Sequence, residues 1–311
     1  MGEWSKKIGE YGENVVEKFL SVVGWGNPAK GIEINCSKRN EEHKNKDGNP
    51  VRTHGIDFFY SYLSPLVDGQ LNNVVISSKF KTEKYPNSPT KVFKEYFEDL
   101  VNTIDCFSDS EYKNQVIEVH HQFSSVNDVG VLFWLNNQNE SNDDLISIIA
   151  NAKIDVIMNK TIYIMDNKHV AFVLDLISYI KTTNRYNYSF FYPSTGQNIN
   201  PISRTDNGTI LPVEFFNSSI IPIRLENKDN PNEVSFFIGS IDSFDQDSFM
   251  RLMGLAKDMS KHLTGEVIIG FPDYNDLEHK NTVSIAKQGF EDNNFAKTVS
   301  AVNYHNLLSV Y

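Results

Sequence analysis

The chain has 311 residues, 40% of them hydrophobic and 22% charged, which is enough for two domains with cores of their own. No apolar run reaches membrane-spanning length, so no membrane partner is expected. Cys36 and Cys106 are too few for a disulfide framework and neither has a metal-type partner nearby. The polar opening MGEWSKKIGEYGE lacks an apolar signal core, so a reducing, cytoplasmic setting is expected.

The net charge of −11 is unevenly placed. Residues 1–100 hold 14 basic and 14 acidic residues, whereas residues 101–311 hold 15 and 26. The first hundred residues therefore leave room for a phosphate-binding surface that the rest of the chain does not.

Helical spacing of Ile8, Val15, Val16, Phe19, Leu20 and Val23 predicts a helix over 5–23, ended by Gly24. A short strand is predicted at 30–36. A charged loop follows at 37–53, carrying Lys38, Arg39, Lys44, Lys46 and Arg52 among Glu41, Glu42 and Asp47. Strands are predicted at 54–61 and 72–81 and an amphipathic helix at 90–106, built on Phe93, Phe97, Leu100 and Ile104. After an Ile/Val/His-containing segment at 115–121 come a strand at 129–135, a helix near 142–152, a strand near 161–165 and a helix near 168–182. The polar stretch Lys181–Tyr188 marks a boundary between domains 1–185 and 186–311. Beyond it, strands are predicted at 188–192, 219–225, 234–241 and 265–271, with helices near 245–262 and 280–288. The expected class is α/β: a restriction-endonuclease-like core, a central mixed sheet flanked by helices, followed by a second α/β domain for partner or oligomer contacts.

Three residues in the first part carry possible chemistry. On a helical wheel, Glu13 lies closer to the apolar face than Glu10 or Glu17, an edge from which a carboxylate can point into a cleft beside the core. Asp57, in HGID, stands inside a strand pattern where Asp is unfavourable, so something local must compensate, and a metal ion is one such group. Gly55 before it marks close backbone approach or a bulge. Lys79, in ISSKFK, shares a strand face with Ser77 and Lys81, opposite Ile76, Ser78 and Phe80. Each also has a plainer reading: a solvated acidic strip, a strand-end Asp bonded to a turn, a strand running out into water.

Together, Glu13, Asp57 and Ser77-Ser78-Lys79 resemble the PD-(D/E)xK nuclease superfamily, whose pattern is a helix glutamate, a hairpin-strand Asp and (Asp/Glu)-x-Lys on the next strand. The resemblance covers about the first 140 residues. More narrowly, GEWSKKIGEYGENVVEKFL, HGID and YPNSPTKVFKEYFEDL, extended by FYPSTGQN at 191–198 and EFFNSSIIPI at 214–223, are similar to the nuclease-like subunit of a two-gene anti-phage defence system carried on phage satellites.

The resemblance implies a metal-dependent DNA endonuclease acting on double-stranded DNA with a second defence-system subunit, as a homodimer or heterotetramer. Glu13 and Asp57 would hold Mg²⁺ or Mn²⁺, and Lys79 would orient water or neutralise phosphate. One departure stands out: the usual acidic residue is Ser77, which removes a hard, charged ligand. Ser77 or the backbone carbonyl of Ser78 through water, or Glu17 one helical turn from Glu13, would complete the shell. Glu95 and Glu98 on the second helix are further candidates, Glu95 facing away from the core. His54 is either a supporting group for the site or a buried structural histidine. The rival function is a catalytically weakened nuclease fold that senses or positions DNA for a partner. His120–His121 is set aside as a metal pair, because adjacent strand residues face opposite ways. The aromatic run YNYSFFY at 186–192 is read as core packing rather than a base-stacking surface.

Overall fold

The computed structural model describes residues 2–38, 43–44, 48–138, 144–154, 159–200, 202, 204–260, 263 and 265–305, with backbone alone for residues 2–6. Arg39, Glu41, Glu42, Lys46 and Asp47 of the charged loop, and the start of the helix expected near 142–152, lie outside the described residues. The chain divides into two compact units. One comprises Met1–Val170 with Pro212–Asn217, the other Ala171–Leu211 with Ser218–Tyr311.

The first unit is built on a five-stranded sheet in the order β1 (Ala29–Asn35), β2 (Thr53–Leu63), β3 (Gln70–Lys81), β4 (Ser125–Asn136), β5 (Ile162–Met165). β1, β2 and β3 are antiparallel neighbours, while β3, β4 and β5 run parallel. Parallel strands need a crossover: helix α2 (Thr90–Ser108) with α3 (Glu111–Val119) supplies the one between β3 and β4, α4 (Leu145–Ile149) lies between β4 and β5, and α5 (Asn167–Thr183) follows β5. Helix α1 (Gly2–Val22) covers one sheet face and α2 the other. The sequence of α1, three strands, α2 and β4 is the restriction-endonuclease-like core.

Side-chain alternation along β3 sorts these layers. Phe80 meets Tyr11 of α1 edge-on, and a methyl group at Gly12 would overlap Phe80, so glycine is what lets α1 lie close to β3. Phe19 of α1 meets Phe133 of β4 in the same layer. On the opposite face Val75, Phe59, Leu132 and Trp134 pack with Phe93, Phe97, Leu100, Ile104 and Phe107 of α2. The returning segment Pro212–Asn217 belongs to this unit: Val213 donates its N–H to the Tyr62 hydroxyl at 2.9 Å, and Phe216 packs on Trp25.

The second unit has a six-stranded sheet in the order β11 (Val299–Asn303), β10 (Val267–Phe271), β9 (Val234–Ser240), β8 (Ile220–Asn227), β6 (Tyr186–Phe191), β7 (Asn207–Gly208). β9, β10 and β11 are parallel and the other neighbours antiparallel. Helix α6 (Gln246–Met259) covers one face through Phe249, Met253 and Ala256, joined by Ala286 of α7 (Asp276–Gly289) and Ala296 of α8 (Asn293–Thr298). Phe190, Phe191 and Tyr192 of the aromatic run are buried.

The segment read as 115–121 is the end of α3, which begins at the Ser110 cap, where the Ser110 hydroxyl accepts from Lys113 N at 3.1 Å. His120 terminates that helix, so the strand argument against a His120–His121 pair does not apply. Strand β7, helix α8 and strand β11 have no counterpart in the sequence reading. Each is six residues or shorter, too brief to show a period.

Candidate functional site

Strands β2 and β3 are in register from Leu63↔Leu71 to Phe58↔Ile76, and the pairing stops there. The next residue of β2 is Asp57. On its other side, the β1–β2 register skips Gly31, which has φ 58°. Ile56 and Phe59 both enter the α2-facing core although they stand three apart, so strict alternation breaks at Asp57. Where the strands part, the Asp57 carboxylate replaces the backbone ladder: Oδ2 accepts the N–H of Ser78 at 2.6 Å, and the Ser77 hydroxyl also bonds it. This is the local compensation that an Asp inside a strand requires.

Lys79 follows on the α2 side. Its Nζ lies 3.2 Å from Asp99 Oδ2 and 5.6 Å from the centroid of the Tyr96 ring. Burial pushes the Asp57 carboxyl above its ordinary value, and the negative charge of Asp99 adds to this. The Ser78 and Ser77 hydrogen bonds and the Lys79 charge only partly offset that rise. Glu13, on the exposed edge of α1, is raised as well, first by partial desolvation and then by the neighbouring charges of Asp57 and Glu10, with Lys30 opposing.

Asp57, Ser77, Ser78 and Lys79 are thus brought together, with Glu13 close enough to feel the charge of Asp57. Glu17 is engaged elsewhere, at 2.5 Å from Lys30 on β1. Asp99, absent from the sequence reading, contributes a further carboxylate from α2. Its only signal is its place three residues beyond Tyr96, which has no motif attached. The donor set fits a hard divalent cation. Asp57 and Glu13 offer hard oxygen donors, burial and like charge disfavour ionising them without a counter-ion, and Lys79 already pairs with Asp99.

His54 does not join the acidic group. Its Nε2 lies 3.3 Å from His43 Nδ1, and burial with the neighbouring His43 holds its imidazole below the ordinary value. The expectation that neither cysteine has a metal-type partner nearby is overturned. One ligand atom each from Cys36, His43, His54 and Cys106 all lie within 4.8 Å of one another. Sequence spacing hid the group, because Cys106 reaches it only through the packing of α2 on the sheet.

This core thus carries a helix carboxylate, Glu13, a strand Asp where a hairpin opens, Asp57, and a lysine two residues beyond Ser77. Residues 1–169 match the family described as "GAPS4 protein PD-(D/E)XK nuclease domain", and the chain belongs to that family. The expected kinship with the PD-(D/E)xK nuclease of an anti-phage defence system is borne out by that match. No curated protein matches the chain. Among the described residues no helix is long and apolar enough to cross a membrane.

Proposed function

We propose that the chain is a metal-dependent DNA endonuclease of anti-phage defence, with Glu13 and Asp57 as the cation ligands and Lys79 as the phosphate-facing base or charge. The observation that carries this reading is the Asp57 carboxylate, seated where β2 and β3 separate and flanked by Ser78 and Lys79. Asp57, fixed by the Ser78 N–H, presents its other oxygen without needing to reorganise. Lys79, held by Asp99 on the α2 side of Asp57, meets the scissile phosphate with its orientation already set. When bound, Mg²⁺ or Mn²⁺ supplies Lewis-acid stabilisation of the charge that builds on the phosphate. Ser77 contributes a hydroxyl where the superfamily has a carboxylate. It supports the Asp57 orientation and leaves the cation shell one charge short, so affinity is weak until a DNA phosphate adds its oxygen.

Two such sites are the simplest way to cut both strands of a duplex, and a homodimer or a heterotetramer with a second subunit provides them. The test is purified chain on supercoiled plasmid with Mg²⁺, Mn²⁺ or EDTA, alone and with its neighbouring gene product. Nicking or linearisation that EDTA abolishes supports the reading. Tight DNA binding without cleavage under every condition replaces it with the sensing-module reading that the Ser77 departure favours.

A further inference from the structure

The four residues Cys36, His43, His54 and Cys106 come from four separate places. Cys36 immediately follows β1, His43 lies in the β1–β2 connection, His54 is the second residue of β2, and Cys106 is in the last turn of α2. All are buried, at 6%, 2%, 6% and 1% exposure, so no side chain is left open to substrate. The cysteines are not joined by a disulfide.

Their separations have the dimensions of a coordination tetrahedron. Cys36 Sγ and Cys106 Sγ are 3.7 Å apart, and His43 Nδ1 lies 3.4 Å from each. His43 Nδ1 and His54 Nε2 are 3.3 Å apart. A tetrahedron with zinc bonds of about 2.3 Å to sulfur and about 2.0–2.1 Å to nitrogen has edges of about 3.8 Å (S···S), about 3.6 Å (S···N) and about 3.3 Å (N···N). Hydrogen bonding does not account for this packing. One imidazole nitrogen serves as a single donor or a single acceptor, yet His43 Nδ1 has three ligand-type atoms at this distance. The Ser37 hydroxyl, 3.6 Å from Cys106 Sγ, is placed to steady a thiolate.

We propose that Cys36, His43, His54 and Cys106 bind one Zn²⁺ in a closed, tetrahedral, structural site. Two sulfurs and two nitrogens in that shape select zinc over the hard cations that oxygen donors prefer. The ion ties the β1–β2 connection to the start of β2 and to α2. Around it, Cys36 N donates to Arg52 O at 2.9 Å and Val51 N donates to His43 O at 3.0 Å, drawing the two ends of the connection together. The site stands three residues from Asp57 on β2 and two helical turns from Asp99 on α2. It therefore fixes the two elements that flank Lys79 without taking part in the chemistry.

The proposal is independent of the nuclease reading, and its test does not use activity. The chain is purified without a histidine tag from zinc-supplemented cells and its metals are measured by mass spectrometry. About one zinc per chain is expected, as for a single four-ligand site. Cobalt-exchanged protein should show thiolate-to-cobalt charge transfer and the visible absorption of tetrahedral cobalt, which an all-oxygen magnesium site does not give. Stripping the metal should lower the melting temperature by about 5 °C or more, recovered by Zn²⁺. Cys36→Ser with Cys106→Ser should remove both metal and cobalt spectrum. If that variant does not fold, the wild-type zinc content and cobalt spectrum decide alone. Zinc-free wild type, zinc retained by the folded double variant, or a Cys36–Cys106 disulfide in the native protein would overturn the proposal.

Discussion

Lys79 on β3 and Asp99 on α2 form an ion pair at 3.2 Å, so the lysine in the nuclease motif position is held by a helix carboxylate that no motif includes. The pair is partly exposed, with Asp99 61% accessible, and contributes little to stability. Its consequence is for positioning: Asp99 draws the ammonium across the α2 side of Asp57.

Asp99→Ala should therefore change melting by no more than about 0.5 kcal/mol while reducing DNA cleavage about tenfold or more, through a misplaced lysine. Cleavage rates and a thermal melt on the same preparation check this. A large loss of stability with unchanged cleavage would make the pair purely structural.

Asp57 and Glu13 both have raised carboxyls, from ordinary values of 3.8 and 4.5. A raised acid favours the fold while protonated. Its contribution is complete below the ordinary value and lost as pH rises through the raised one. Cation binding needs the ionised form and strengthens over that same window. At pH 7 without divalent ions, Asp57→Asn should therefore melt at or above wild type, and Mg²⁺ should stabilise wild type more than the variant. Melting curves across pH 4–8, with and without Mg²⁺, measure both effects.

Ser77 is buried at 9% exposure and bonds Asp57. Ser77→Glu places a second carboxylate beside Asp57. It should lower the melting temperature in EDTA, raise Mg²⁺ affinity without DNA and raise basal cleavage. Ser77→Ala should be milder than Asp57→Ala, since only a hydroxyl is lost. Calorimetric titration of the variants decides. If Ser77→Glu binds no more metal than wild type, the residue does not face the cation.

Asp128 on β4 provides a contrast. It is buried, and although burial pushes its carboxyl up, hydrogen bonds from Lys113 and Asn73 and the charges of Lys113 and Lys160 hold it below the ordinary range. Asp128→Asn should cost about 1–3 kcal/mol, because it leaves the half-buried Lys113 and Lys160 without their carboxylate. It should leave the specific activity of the folded fraction near wild type, as chemical denaturation beside an activity assay will show.

Much of this architecture was legible because α1, β2, β3, α2 and β4 carry strong periods: Phe93, Phe97, Leu100 and Ile104 announce α2 as clearly as Val74–Val75–Ile76 announce β3. Asp57 was legible because a charged residue inside a strand demands an explanation. Asp99 was not, since an exposed acid on an amphipathic helix looks like any other. Nor was the Cys36–His43–His54–Cys106 group, whose members are separated by a loop and by two further strands and then united only by tertiary packing. The return of Pro212–Asn217 to the first unit was hidden for the same reason: Val213 and Phe216 find Tyr62 and Trp25 at a distance no local pattern encodes.

The most direct test of the account is plasmid cleavage by Asp57→Ala and Lys79→Ala, assayed beside wild type with Mg²⁺, Mn²⁺ and EDTA and in the presence of the partner subunit. Wild type should cut only with a divalent ion. Both variants should lose cleavage by about a hundredfold or more while melting near wild type. Full cleavage by both folded variants would contradict the assignment of the site.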